Sequence, residues 1–159
     1  MKRATNCKKL GFSLLEVVIV VAILAILAAI GIPRMSRGSR GAGDSALKSN
    51  LSLLRNGIDV YSAEHNGDFP AVGTFANQLT TFTDSAGSTN ATKTTTYIYG
   101  PYLRTIPPLT VGAKKGKSGV SADGAGADDG WIYTASSGAI VANTDANEAD
   151  DAGVLYNTY

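Results

Sequence analysis

Apolar and polar positions follow different periods along this chain, and each period predicts a different element. Residues Phe12 to Ile32 are apolar on every face, twenty-one positions interrupted by a single charge, Glu16. At 1.5 Å per residue, a helix of that length reaches across the roughly 30 Å hydrocarbon core of a bilayer. Pro33 follows at once and has no N–H for the helical ladder, so a kink is expected there. Beyond it, Gly38, Gly41 and Gly43 each weaken a helix by about 1 kcal/mol relative to Ala, which suits a frayed stretch or a flexible joint. From Asp44, a good helix-start residue, apolar positions return at Leu47, Leu51, Leu54, Ile58 and Tyr61, with alternating spacings of four and three. This is one stripe of an amphipathic helix, closed by Asn66-Gly67 and kept closed by Pro70.

The period then shortens. Phe75, Leu79 and Phe82 after Thr74 predict a short second helix, and the Ser- and Thr-rich run from Thr80 to Thr96 reads as an exposed loop. Thr95 to Tyr99, Trp131 to Ala135, Ala139 to Asn143 and Val154 to Tyr159 gather aromatic and β-branched residues and predict strands, with Ser136-Ser137-Gly138 joining the middle two as a hairpin. The expected fold class is α+β: a long kinked N-terminal helix, half membrane-spanning and half amphipathic, packed on a small antiparallel β-sheet head. The corresponding segments are a basic leader (1–11), a transmembrane or assembly helix (12–32), an amphipathic helix (33–66) and a globular αβ head (67–159).

Charge sharpens the picture at the N-terminus. Lys2, Arg3, Lys8 and Lys9 precede the apolar run with no acid among them, which fits a signal-like leader and also a cytoplasmic N-terminus by the positive-inside rule. Arg34, Arg37 and Arg40 beyond the span weaken that second argument; at this spacing they share one side of a helix, facing headgroups or acidic groups of neighbouring chains. Loss of the leader takes the 14 basic residues to ten against 13 acids, so charge suggests no nucleic-acid partner. It also removes Cys7, the one cysteine, leaving packing, a metal or assembly to stabilise a small head.

The apolar run has three readings: a plain single-span anchor, a signal peptide cut near Ala28-Ala29, or a processed assembly helix. Glu16 bears on the choice. A carboxylate at the centre of a membrane helix costs roughly 2.5–3.5 kcal/mol on insertion scales, and less near an end, so it persists where something uses it. Gly11 followed by Phe12, Ser13, Leu14, Leu15 and Glu16 beneath a basic leader resembles the prepilin motif of the type IV pilin and type II secretion pseudopilin superfamily. The resemblance implies that a prepilin peptidase cuts between Gly11 and Phe12 and that the new Phe12 amine is methylated. Cleavage creates a cation, and a buried carboxylate needs one. The amine of a neighbouring chain, shifted along the axis, pairs with Glu16 more directly than the amine of the same chain, so processing would switch assembly on.

The phrases Leu53-Leu54-Arg55-Asn56 to Tyr61, Asn66-Gly67-Asp68-Phe69-Pro70 and Gly100-Pro101-Tyr102-Leu103 further resemble the head of major type II pseudopilins. The family commonly has a proline at the distance of Pro33. The resemblance implies a homopolymer growing from a bacterial inner-membrane assembly platform with minor pseudopilins, each subunit single-pass with its head on the periplasmic side. Its role would be protein export, and a type IV pilin for adhesion or motility is the alternative within the family. A monomeric membrane-anchored binding module, with Trp131 and the tyrosines as contacts, is the alternative outside it.

Catalytic chemistry is sparse. His65 is the sole histidine, which excludes a His-metal cluster; at the end of the amphipathic helix it reads as a solvent-facing residue rather than the base of a Ser-His-Asp triad, and the chain as no enzyme. Lys114-Lys115-Gly116-Lys117 reads as a solvated basic loop or a patch for an acidic partner, and Asn90-Ala91-Thr92 as a plain loop despite its sequon pattern. Two acidic loops offer oxygen ligands: Asp145, Asn147, Asp150 and Asp151 in one, Asp123 with Asp128-Asp129 in the other. Major pseudopilins carry calcium in an Asp- and Gly-rich loop near the C-terminus, and the resemblance implies Ca2+ at the first of these, whose spacing departs from the family's usual Ala-Asp-Gly phrase; a solvated acidic turn is the alternative.

Overall fold

The computed structural model describes residues 12–159, and of residues 30–40 the backbone alone. Gly11, Cys7 and the rest of the leader lie outside the described residues, as do the side chains of Pro33, Arg34, Arg37 and Arg40. The chain divides into two compact units that meet at Ser39 and Arg40, and each is described by itself.

Helix α1, Leu14–Glu64, supplies the regular structure among the described residues of the first unit and the first element of the second. It continues through Pro33 and through Gly38, Gly41 and Gly43, so these residues do not end it. Among its described residues, the first unit buries nothing: Val17, Ile19, Val21, Ile23, Leu24 and Leu27 are all exposed by half or more. A helix that is apolar on every face is stable in water only when lipid or other helices cover it.

In the second unit α1 does bury a face. Leu47, Leu51, Leu54, Ile58 and Tyr61 are all sealed, as their spacing predicts, and each such side chain contributes about 1.5–3 kcal/mol. The helix stops where Asn66 and Gly67 take positive φ values of 58° and 93°, conformations that Asn and Gly tolerate best. A 3-10 turn (Val72–Thr74) leads into α2, Phe75–Thr80, whose Phe75 and Leu79 join the core.

The head has two sheets. Strands β1 (Phe82–Thr83) and β2 (Thr89–Asn90) form a short antiparallel hairpin inside the segment expected to be an exposed loop. The Asp84 carboxylate holds this turn by accepting the N–H groups of Ala86 and Ser88. The second sheet runs β3 (Gly119–Ser121), β4 (Asp129–Thr134) and β5 (Ala139–Ala142). The β4–β5 pair is the predicted antiparallel hairpin, with Trp131 opposite Ala142 and Tyr133 opposite Ile140. The expected antiparallel sheet needs one correction: β3 pairs with β4 in parallel, with a bulge between Gly119 and Val120.

Two expected strands are absent from the head. Of Thr95–Tyr99 only Tyr99 pairs, as an isolated bridge to Thr83; of Val154–Tyr159, Leu155 bridges Ala149 and the chain then turns as a 3-10 helix, Tyr156–Thr158. Non-local side-chain contacts decide the second case. The Tyr156 hydroxyl donates to Asp44 Oδ1 at 2.7 Å, and Tyr159 packs under Lys48 with Nζ 4.6 Å from its ring centre. Trp131 and Tyr133 are fully buried, their polar tips donating to the carbonyls of Pro107 and Pro70.

Candidate processing and assembly site

The site is the first turn of α1. Ser13 precedes the helix and Glu16 is its third residue, so the two can cap each other. Glu16 Oε2 accepts the Ser13 backbone N–H at 3.2 Å, and Ser13 Oγ accepts the Leu15 N–H at 3.3 Å. This is close to a capping box, which satisfies N–H groups that the helix cannot reach with its own carbonyls. The signal lay in the sequence as Ser-x-x-Glu ahead of an apolar run; attention to the charge of Glu16 alone passes over it. A carboxylate at a helix N-terminus also faces the positive end of the helix dipole.

Phe12 lies immediately before this cap and is 87% exposed. The structure thus brings Phe12, Ser13 and Glu16 together at one helix end; Gly11, the other half of the expected cleavage position, lies outside the described residues. Pro33 is helical in backbone, and its side chain is not described. Among the described residues no helix is long and apolar enough to cross a membrane; the described apolar side chains stop at Ala29, short of Ile30, Gly31 and Ile32.

The C-terminal acidic loop behaves differently from what a calcium site needs. Asp150 Oδ1 accepts the N–H groups of Ala152 and Val154, both at 2.9 Å, and Oδ2 accepts the Tyr159 hydroxyl. The Tyr159 hydroxyl, first of several causes, holds the Asp150 carboxyl below the usual carboxylate range. Glu148 spans the base of the loop, with Oε1 on Ala113 N–H at 2.8 Å and Oε2 on Asp145 N–H at 3.0 Å. The Asp150 carboxylate is thus committed to the turn of its own loop and to Tyr159. Among the described residues no group of three or more Asp, Glu, His or Cys side chains is placed to hold a metal.

His65 is a correction. It is 1% exposed rather than solvent-facing, stacked on Tyr61 with ring centres 3.8 Å apart and an angle of 6°. Its Nδ1 lies 2.7 Å from the Tyr61 carbonyl oxygen and its Nε2 3.1 Å from Thr83 Oγ1, so it joins α1 to the β1–β2 hairpin. Trp131 is likewise sealed in the core and is no surface contact for a ligand.

The family model of the prokaryotic N-terminal methylation motif matches residues 6–32, the stretch that holds Gly11, Phe12, Ser13 and Glu16. No curated protein and no solved structure matches the chain. The motif supports a type IV pilin-like or pseudopilin-like protein, processed by a prepilin peptidase, anchored in a membrane and assembled in the manner of a pilus. The α+β head carried on a long N-terminal helix is consistent with that class.

Proposed function

We propose that this chain is the major pseudopilin of a type II secretion system, a non-catalytic subunit that polymerises with copies of itself from an inner-membrane platform and assists protein export. The observation that carries the reading is the methylation motif over residues 6–32, with Glu16 turned back onto the start of the helix that cleavage would expose. Two features support the finer assignment. The head holds its C-terminal segment without cysteine, through Tyr156 on Asp44 and Arg55 on the Ile140 and Tyr159 carbonyls. Of the two phrases that resemble the pseudopilin head in sequence, the Gly100-Pro101-Tyr102-Leu103 turn seats Leu103 in the core, and Asn66-Gly67 ends α1 as an exposed turn.

Mass spectrometry of the mature N-terminus tests the processing step. A chain that starts at methylated Phe12 supports the reading; an intact Met1 or a start near Gly31 refutes it. Deletion in the native host separates the two family members. Loss of exported enzymes with unchanged surface motility supports the pseudopilin, and loss of motility or adhesion with export intact assigns a type IV pilin.

A further inference from the structure

We propose that the Lys114 ammonium serves as a tethered cation in the loop joining β3 to β4, so that this Asp- and Gly-rich loop is held without a divalent metal. The loop, residues 122–128, has an unusual task. It links two parallel neighbouring strands, a connection that ordinarily takes a dozen or more residues. So short a return must turn tightly, and it does so through Gly124 at φ 68°. Several backbone groups turn inward in consequence and need partners.

Two partners are backbone groups, the Asp129 N–H on the Gly126 carbonyl and the Gly119 N–H on the Asp128 carbonyl; the others are side chains of this head. Lys114 Nζ donates to the carbonyls of Gly124 at 2.5 Å and Gly126 at 3.3 Å. Asn143, nearly buried, donates through Nδ2 to the same Gly124 carbonyl at 2.9 Å and to the Asp129 carbonyl at 2.8 Å. Asp129 Oδ2 accepts the Gly126 N–H, Asp123 Oδ1 the Ala125 N–H, and Ser121 Oγ the Gly124 N–H. The Asp129 carboxyl is held below its usual range by the Ser121 hydroxyl, then the Gly126 N–H, with the charge of Lys114 adding to both. A second lysine completes the arrangement: Lys117 Nζ pairs with Asp128 Oδ1 at 2.6 Å. The fit around Gly124 and Gly126 is close, since a Cβ at either would come within 2.7 Å of Asn143 or Asp129 atoms.

Converging carbonyl and carboxylate oxygens are what a hard cation seeks. Here an ammonium already takes two of the carbonyls, and the pair Lys114 and Lys117 would repel an incoming dication. The basic run 114–117 is thus neither merely solvated nor a patch for an outside partner; two of its three lysines are the counter-charges of the acidic loop. The inference does not depend on assembly, because every contact lies within one head.

The test is thermal unfolding of the full chain in detergent micelles, with about 1 mM calcium or with excess chelator. Wild type should melt at the same temperature in both, and calorimetric titration should show no calcium binding. Lys114→Met should melt lower in chelator by about 4 °C or more and recover with calcium, while Lys114→Arg should behave as wild type. A calcium-dependent wild type overturns the proposal. So does a Lys114→Met variant that is as stable as wild type, or one that is destabilised but indifferent to calcium. If Lys114→Met does not accumulate, calcium rescue of Lys114→Gln is the deciding measurement, with the same outcomes.

Discussion

Replacing Thr83 with Val tests the buried contact that ties the end of α1 to the β1–β2 hairpin. Val keeps the size and branching of Thr but removes the hydroxyl that sits 3.1 Å from His65 Nε2. The other ring nitrogen, Nδ1, faces the Tyr61 carbonyl oxygen at 2.7 Å. A carbonyl can only accept, so Nδ1 carries a proton, and in that tautomer Nε2 is the acceptor that Thr83 satisfies. His65 is 1% exposed and Thr83 fully buried, so no water can replace the lost donor. An orphaned buried acceptor costs about 1–3 kcal/mol, which in a unit of this size lowers Tm by roughly 4–12 °C. In a His65→Phe background the acceptor is gone, and Thr83→Val should then lower stability by less than about 1 kcal/mol, a coupling that a double-mutant cycle isolates. Near-UV circular dichroism of the full chain in micelles, followed against temperature and urea, reads all four variants. A Thr83→Val loss under about 1 °C, or an equal loss in both backgrounds, would refute the reasoning.

Three other outcomes follow from the same contacts. Glu16→Gln retains an oxygen for the Ser13 N–H but no charge, whereas Glu16→Ala loses both; if charge drives assembly, electron microscopy should find filaments from neither, and normal filaments from Glu16→Gln would leave only the cap as its role. Tyr156→Phe strands Asp44 Oδ1 in a site 8% exposed and should lower head stability by about 1–3 kcal/mol in urea; Asp44→Asn, which keeps an acceptor, should lower it less. At high pH, burial pushes the Tyr133 hydroxyl up to about 12. Its folded pKa lies above its unfolded one, so its contribution is whole below about pH 10 and lost as pH rises through the folded value. Tm should be flat to about pH 9.5 and fall beyond it, less so in Tyr133→Phe; a Tm that stays flat to about pH 12 would count against burial.

What the sequence made legible was local and periodic. The stripe from Leu47 to Tyr61 repeats on the helical period, and all five residues are in the core. Trp131-Ile132-Tyr133 alternates on the strand period, and its inward pair is sealed. His65 was legible too, on a fuller count: it lies four residues beyond Tyr61 and simply continues the stripe, although its polarity argued for the surface. The β1–β2 hairpin hid in a Ser- and Thr-rich run because an aspartate, not apolar residues, organises its turn. Elements whose state depends on distant partners could not be read this way. Val154 to Tyr159 has strand-like residues, yet Asp44 and Lys48 draw its tyrosines onto α1. Lys114 likewise meets Gly124 and Gly126 only because β3 and β4 pair in parallel, which no local pattern announces.

The cap on α1 also changes how Glu16 serves assembly on the pilin-like reading. A carboxylate in an apolar setting is unstable without a partner, and before any neighbour arrives the Ser13 N–H supplies one. That bond uses Oε2, and an ionised carboxylate has about four lone-pair sites over its two oxygens. Local capping and pairing with a neighbour's amine are therefore compatible. The cap does more than wait: it turns the carboxylate toward the start of the helix, the end at which the proposed cleavage beside Phe12 would leave a positive charge. Held there, the side chain of Glu16 would already have lost part of its rotamer entropy when subunits meet. Ser13 is thus a positioning residue for Glu16, and the short hydroxyl between an aromatic and two leucines acquires a physical reason.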